Sequence, residues 1–141
     1  LAKIVDSHTS AVDYVAGEGL LMAPTVAVSE LLKRNGLKLQ DFDFYEIHEA
    51  FAGQVLCTMK AWESAEYCKT RLGRSEPLGK IDRSKLNVRG SSIALGHPFA
   101  ATGAKIVGVL AKILHSAGPG KRGLIVVCTA GGMGVATILE S

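Results

Sequence analysis

The stretch that most constrains this chain is residues 87–103, NVRGSSIALGHPFAATG, which leads from a glycine-rich turn into a long apolar segment. Glycine allows positive φ, and Pro98 has no N–H to donate, so it suits the first turn of a helix. The pattern predicts a helix over residues 98–116, with His97 held just ahead of its N-terminus. Because that end carries partial positive charge, it favours a neutral imidazole and any anion beside it. His97 is therefore a candidate catalytic base.

Composition places the chain among ordinary globular domains. Its length of 141 residues suits one domain. Hydrophobic residues make up 48% of the chain, which is enough to build a core, and charged residues make up 21%. The net charge is only +3 and the basic residues are scattered along the chain, so nucleic-acid binding is not indicated. No apolar run has the length of a membrane span. Three cysteines without a CxxC pair predict reduced thiols in an intracellular compartment: the cytoplasm, or in a eukaryote the mitochondrial matrix or a peroxisome.

The start of the sequence, LAKIVDSHTS, differs from a signal peptide, because it has no basic region ahead of a long apolar core. It has no initial Met and enters directly into a strand-like run. The pattern is typical of a segment cut from a longer chain. We therefore expect residues 1–141 to form one domain of a larger assembly.

Strand-like and helix-like segments alternate along the chain. The pattern predicts strands within residues 1–15, 42–48, 124–128 and 135–139, and helices over 24–35, 50–62, 63–72 and 98–116. The polar residues 73–85 predict an exposed loop, and residues 130–134 predict a tight glycine-rich turn. The fold class predicted is α/β, with a mixed sheet and helices on both faces.

Three chemically capable side chains lie where predicted elements end. His48 ends the second strand, His97 precedes the long helix, and Cys128 ends the LIVVC strand. Sites in open α/β sheets form outside the carboxyl ends of the strands, so one pocket could collect all three. Taken singly, each histidine has a plain structural interpretation, and Cys128 could be a core thiol before a turn. Their joint placement favours a site.

Other familiar motifs are incomplete. His48-Glu49 is not a zinc-protease motif, because Ala52 occupies the place of its second histidine. No phosphate-binding P-loop and no dinucleotide-binding GxGxxG is present, and the histidines and cysteines lack metal-ligand spacing. We predict neither a metal nor a cofactor. Cys57 and Cys68 lie within helical segments and lack the small residues with free backbone N–H groups that follow Cys128, which predicts structural roles for both.

Three motifs agree on one family. His48-Glu49-Ala50-Phe51, Gly96-His97-Pro98 and the glycine-rich run from Cys128 to Gly134 resemble, in order, the three signatures of the C-terminal half of thiolases. The segment with Pro24 and the strand before His48 are also similar to that half. The resemblance therefore extends over the whole chain, and the HEAF form resembles the thiolases of fatty-acid β-oxidation, including those of trifunctional complexes.

The resemblance implies a reaction and roles for particular residues. Thiolases transfer an acyl group between a 3-oxoacyl-CoA and CoA, releasing acetyl-CoA, or run the reverse Claisen condensation, with CoA as substrate rather than cofactor. By resemblance, His97 activates a nucleophilic cysteine and contributes to an oxyanion hole, and Cys128 is the acid/base at the acetyl-CoA carbon. His48 matches the position where many thiolases carry Asn near that hole. The N–H of Ala130 matches a donor to a second hole, and Phe51 would line the substrate path.

The resemblance also implies a missing part. The family's nucleophilic cysteine lies in an N-terminal half that this sequence does not include, and no cysteine here matches its motif. We expect that half as a partner, in the same natural chain or as a separate subunit, with acyl-CoA and CoA as ligands and a homo-oligomer as the assembly. The isolated chain is expected to lack turnover. Ser91-Ser92, where the family often has Gly-Gly, and Thr129 depart from the pattern, which affects the pocket shape.

Two other interpretations remain. The chain could be a non-catalytic thiolase-like module that binds acyl-CoA or acts as a scaffold. It could also be a relative of the ketoacyl synthases, although those enzymes lack the terminal cysteine motif. Retention of His48, His97 and Cys128 together favours descent from an active enzyme, since a binding module has no use for an acid/base thiol.

Overall fold

The computed structural model describes all 141 residues. Four strands and five α-helices follow one another along the chain. Their bounds are β1 (Lys3–Ala11), α1 (Ala23–Asn35), β2 (Phe44–Ile47), α2 (Ala52–Glu63), α3 (Ala65–Leu72), α4 (Ser92–Leu95), α5 (Thr102–Ala117), β3 (Arg122–Thr129) and β4 (Met133–Glu140), with a 3₁₀ turn at Arg83–Lys85. None of the helices is both long and apolar enough to cross a membrane.

The strands form one mixed sheet in the order β1-β4-β3-β2. β2 runs parallel to β3, while β4 pairs antiparallel with both β3 and β1. Helices α1, α2 and α3 contribute to a core on one face, and α5 packs on the other. The predicted α/β class, with a mixed sheet and helices on both faces, is confirmed.

The larger core lies between the sheet and α1. Leu31 and Leu32 are fully buried there, together with Trp62 of α2 and Leu124 of β3. Apolar side chains three and four residues apart give α1 the continuous stripe that a sheet can cover. Each fully buried leucine contributes about 1.5–3 kcal/mol relative to an exposed one. This core holds the carboxyl ends of β2 and β3 in place.

The helix predicted to start at Pro98 starts at Thr102, which is a correction with a local cause. Ala100 has φ 67°, a left-handed conformation that a right-handed helix does not contain. Residues 98–101 instead form a turn in which the Ala101 N–H donates to the Pro98 carbonyl (3.0 Å). His97 therefore lies one turn ahead of the helix rather than directly before its first residue.

The loop predicted as exposed, residues 73–85, is also corrected in part. Most of its charged side chains face solvent, although Arg74 is half-buried and donates to Ser29, and Leu78 and Ile81 are buried in the main core. The side chain of Gln40 holds this loop by donating to the carbonyls of Leu78 and Lys80 (3.0 Å each). The loop thus covers the open end of the core beside Trp62.

Candidate active site

His48 directly follows β2, and its backbone N–H extends the parallel ladder by donating to the carbonyl of Val126 (2.8 Å). The free edge of β2 is capped by Asn87, whose side chain accepts from the N–H of Ile47 (2.8 Å) and donates to its carbonyl (3.0 Å). The imidazole is buried, and its Nδ1 lies 2.8 Å from Oγ of Ser92. Hydrogen bonds therefore fix the position of both the backbone and the imidazole ring of His48.

His97 follows the short helix α4, which ends at Gly96 with φ 85°, a conformation that glycine adopts without strain. Its Nδ1 lies 2.6 Å from Oγ1 of Thr102, the first residue of α5. The imidazole thus remains at the positive end of the long helix, although the helix starts later than predicted. Its centroid lies 4.4 Å from that of His48 and 4.6 Å from that of Phe99.

Cys128 lies near the end of β3 and pairs with Gly134 across the β3–β4 hairpin. Gly134 has to be small: a Cβ there would lie 2.4 Å from the backbone nitrogen of Pro24. This close approach brings the start of α1 against the hairpin beside Cys128. Burial of the thiol raises the pKa of Cys128 above its ordinary value, partly offset by backbone hydrogen bonds from Cys128 and Ala50. The thiol is therefore protonated at neutral pH.

These side chains meet in one cavity of about 600 Å³. All five residues singled out from the sequence line it: His48, Phe51, His97, Cys128 and Ala130. The rest of the lining is mostly small or apolar and comes from Leu20, Leu21, Ala50, Phe99, Ala100, Thr102, Gly103, Val127 and Thr129. The cavity combines an apolar wall with a few polar groups, as small-molecule sites do.

The two other cysteines lie outside this cavity. Cys57 is exposed on α2, and Cys68 is buried in the main core near the carbonyls of Ala61 and Trp62. Cys128 is therefore the cavity's one cysteine.

A carboxylate network ties the two histidine loops together. Glu49 accepts from the side-chain amide of Asn87 (2.9 Å) and from the backbone N–H of Ile93 in α4 (3.0 Å).

Burial lowers the pKa of His48, and the neighbouring His97 and Lys105 add to this, against an opposing effect of Glu49. His48 is therefore neutral at pH 7.

Sequence reasoning noted Ser92 only as a departure from the family pattern, and it missed Thr102 and Glu46. The first two are the ring partners of the histidines, and Glu46 is a buried carboxyl two residues before His48. A signal was present for Glu46, because a charged residue inside the apolar strand FYEI is unusual. For the two hydroxyls there was no such signal, since Ser and Thr are common at helix starts without any partner in a site.

Comparisons with known proteins agree with this geometry. A family model described as the C-terminal domain of thiolase matches residues 1–141. A 3-ketoacyl-CoA thiolase of Shewanella sp. (strain W3-18-1) is 46% identical over 123 residues, which is 87% of this chain and 28% of the relative. The corresponding thiolase of Shewanella amazonensis has the same identity and coverage. The chain thus spans less than a third of the length of these curated relatives.

Solved structures give the same result. The acetyl-CoA acetyltransferase of Bacillus anthracis superimposes with a TM-score of 0.77 at 34% identity, covering 99% of this chain and 30% of that one. The Ascaris suum Acat5 thiolase, solved in complex with coenzyme A, gives 0.76 at 30% identity, covering 100% and 31%. The peroxisomal 3-ketoacyl-CoA thiolase of Saccharomyces cerevisiae gives 0.74 at 34% identity, covering 100% and 34%. This chain belongs to the thiolase family and corresponds to its C-terminal domain.

Proposed function

We propose that this chain is the acid/base half of a 3-oxoacyl-CoA thiolase, which transfers an acyl group between a 3-oxoacyl-CoA and CoA. The observation that carries the proposal is the single cavity where His48, His97 and Cys128 meet. Carbon–carbon cleavage needs a covalent acyl acceptor, a proton for the departing carbon, and donors for negative oxygen. The cavity offers the last two, and an N-terminal half, in the same chain or as a separate subunit, provides the acceptor cysteine.

Cleavage begins when His97 takes the proton of the acceptor cysteine, and the thiolate attacks C3 of the 3-oxoacyl-CoA. The resulting oxyanion is held by the protonated His97 and by His48. The C2–C3 bond then breaks, and its electron pair stays on C2, which takes the proton of Cys128 and leaves as acetyl-CoA. The thiol of CoA then gives its proton to Cys128, and its sulfur attacks the acyl-enzyme. The acceptor cysteine leaves as a thiolate and regains its proton from His97, giving the shortened acyl-CoA. The same steps in reverse give the condensation.

The high pKa of Cys128 suits this role. A buried thiol that stays protonated is a good acid for a carbanion, which is far more basic than a thiolate. The N–H of Ala130, at the turn after β3, is the proposed donor to the thioester oxygen of the departing acetyl group. A small residue at this position lets the backbone approach the ligand.

Phe51 and Phe99 make the proposed substrate path. Both line the cavity, and they are 68% and 84% exposed. Aromatic side chains are rarely left this open unless something covers them. We propose that the acyl-CoA and the N-terminal half cover them in the complete enzyme, which would be a homo-oligomer within a reducing, intracellular compartment.

The test is an assay of 3-oxoacyl-CoA loss on addition of CoA. This chain alone is expected to give no turnover, because its cavity holds no second cysteine. Turnover is expected when the chain is mixed with, or joined to, an N-terminal half of a thiolase. Robust turnover by the 141-residue chain alone would contradict the inference that this chain lacks the acceptor cysteine. A folded complex with both halves and no turnover would favour a non-catalytic module.

A further inference from the structure

The two histidines of the cavity have different hydroxyl partners. Thr102 is buried, and its Oγ1 contacts both Nδ1 of His97 (2.6 Å) and the carbonyl oxygen of Pro98 (3.1 Å). A carbonyl oxygen can only accept, and a hydroxyl has one proton, so that proton goes to Pro98. Nδ1 of His97 must then be the donor to Thr102. In the neutral ring the lone pair is therefore on Nε2.

The partner of His48 has the opposite role. Ser92 is buried, and Nδ1 of His48 is the one hydrogen-bond partner of its Oγ. If Nδ1 donated, the hydroxyl proton of Ser92 would be buried without an acceptor, which costs about 1–3 kcal/mol. Donation from Ser92 to Nδ1 satisfies both groups. A neutral His48 then carries its proton on Nε2.

We propose that Ser92 and Thr102 are positioning residues that hold the neighbouring His48 and His97 in opposite neutral tautomers. With its lone pair on Nε2, His97 can accept a proton in the cavity. With its proton on Nε2, His48 can donate to an oxygen there. Two adjacent imidazoles, 4.4 Å apart between centroids, thus become one base and one donor without any change of charge.

The two opposite tautomers suit the proposed thiolase reaction. The catalytic use that we assign to them rests on that proposed function. A base is needed for the acceptor thiol, and hydrogen-bond donors are needed for the oxyanion, one of which is His48. The other titratable and charged groups around the pair are Cys128 in the same cavity, Glu49 after β2 and Lys105 from α5. None of these contacts Nδ1 of either ring, so the hydroxyls decide the tautomers.

The tautomers are measured directly by long-range ¹H–¹⁵N NMR of the 141-residue chain labelled at histidine, at a pH where both rings are neutral. We expect His97 with its proton on Nδ1 and His48 with its proton on Nε2. Thr102→Val is expected to shift His97 toward the Nε2–H form, while Thr102→Ser restores the wild-type pattern. Thr70→Val is the matched control, since Thr70 makes the same bond to the carbonyl four residues back (2.8 Å) with no histidine nearby.

Ser92→Ala gives an independent readout. A hydrogen bond donated to Nδ1 stabilises the neutral ring, so its loss is expected to raise the pKa of His48. A fall in that pKa would mean that Ser92 accepts, and would overturn its assignment. An Nε2–H tautomer for His97 in the wild-type chain, or one unaffected by Thr102→Val, would overturn the role of Thr102. These measurements need no turnover. Their outcome therefore tests the tautomer assignment separately from the proposed thiolase activity.

Discussion

Replacing Cys128 with Ala in the complete enzyme is expected to lower CoA-dependent cleavage of a 3-oxoacyl-CoA on the order of 10³-fold. The reason is that the departing carbon loses the one thiol in the cavity that can protonate it. Positioned acids and bases contribute about 10²- to 10⁴-fold to such steps. The measurement is the steady-state rate at saturating CoA, for an enzyme made of this chain and an N-terminal half.

Cys57→Ala is the matched control for that result. It removes the same thiol from an exposed place on α2, outside the cavity, and is expected to leave the rate unchanged. Cleavage by Cys128→Ala within about tenfold of wild type, with Cys57→Ala also unaffected, would show that Cys128 is only a core residue. A folded variant is confirmed by the emission of Trp62, the chain's single, fully buried tryptophan.

Replacing Glu46 with Gln is expected to stabilise the folded chain by up to about 3 kcal/mol at pH 8. The carboxyl is 1% exposed, and its Oε1 has no hydrogen-bond partner. Burial, with a smaller effect of Glu49, raises the pKa of Glu46 from 4.5 to about 7. Each tenfold difference in proton affinity between folded and unfolded states is worth about 1.4 kcal/mol.

The sign of the pH dependence follows from the raised pKa. Between about pH 4.5 and 7 the folded chain keeps the proton of Glu46 and the unfolded chain loses it. This group therefore lowers the free energy of unfolding as pH rises through that window, with no further change above it. The gain from Glu46→Gln should shrink as the pH falls toward 4.5, where half of the unfolded chains also hold the proton.

Urea unfolding followed by Trp62 fluorescence at pH 4.5 and pH 8 measures this. Glu76→Gln, in the exposed part of the loop 73–85, is the control and is expected to change stability little. A Glu46→Gln variant that is less stable than wild type at pH 8 would mean that the ionised carboxylate is stabilised where it lies. Lys105 of α5, whose charge opposes the pKa increase of Glu46, would then be its partner.

Much of the fold could be predicted because its signals are local. The strand that includes residues 124–128 is a short apolar run between glycine-rich turns, and α1 has its proline at the start and Gly36 in left-handed geometry at its end. Such patterns identify elements without knowledge of the partners. The mixed sheet followed from strands that alternate with helices and end in a hairpin.

The start of α5 was misplaced because it depends on one residue's backbone conformation. Pro98 fits a first helical turn, but Ala100 adopts φ 67°, which alanine rarely does, and no sequence rule indicates it. The burial of Leu78 and Ile81 also depends on distant partners, since the loop is held by Gln40 from the other side of the core.

The residues of the candidate site also differ in whether local sequence signals identify them. His48, His97 and Cys128 could be predicted, because each lies at an element end and each belongs to a recognisable motif. Ser92 and Thr102 could not be assigned, because their significance comes from contacts 44 and 5 residues away along the chain. The Ser92 contact joins α4 to the residue after β2, and the Thr102 contact depends on the turn at residues 98–101, which the sequence did not predict.

The central claim is that this chain supplies the acid/base half of a thiolase, with separate roles for His97 and Cys128. It is tested most directly by measuring two reactions in the complete enzyme. One is cleavage of 3-oxoacyl-CoA. The other is exchange of an acetyl group between acetyl-CoA and labelled CoA, which breaks no carbon–carbon bond and in which His97 alone carries the proton between the acceptor and CoA sulfurs. Cys128→Ala should lose cleavage and retain exchange, while His97→Ala should lose both. Loss of neither reaction in His97→Ala, or retained cleavage in Cys128→Ala, would contradict the account.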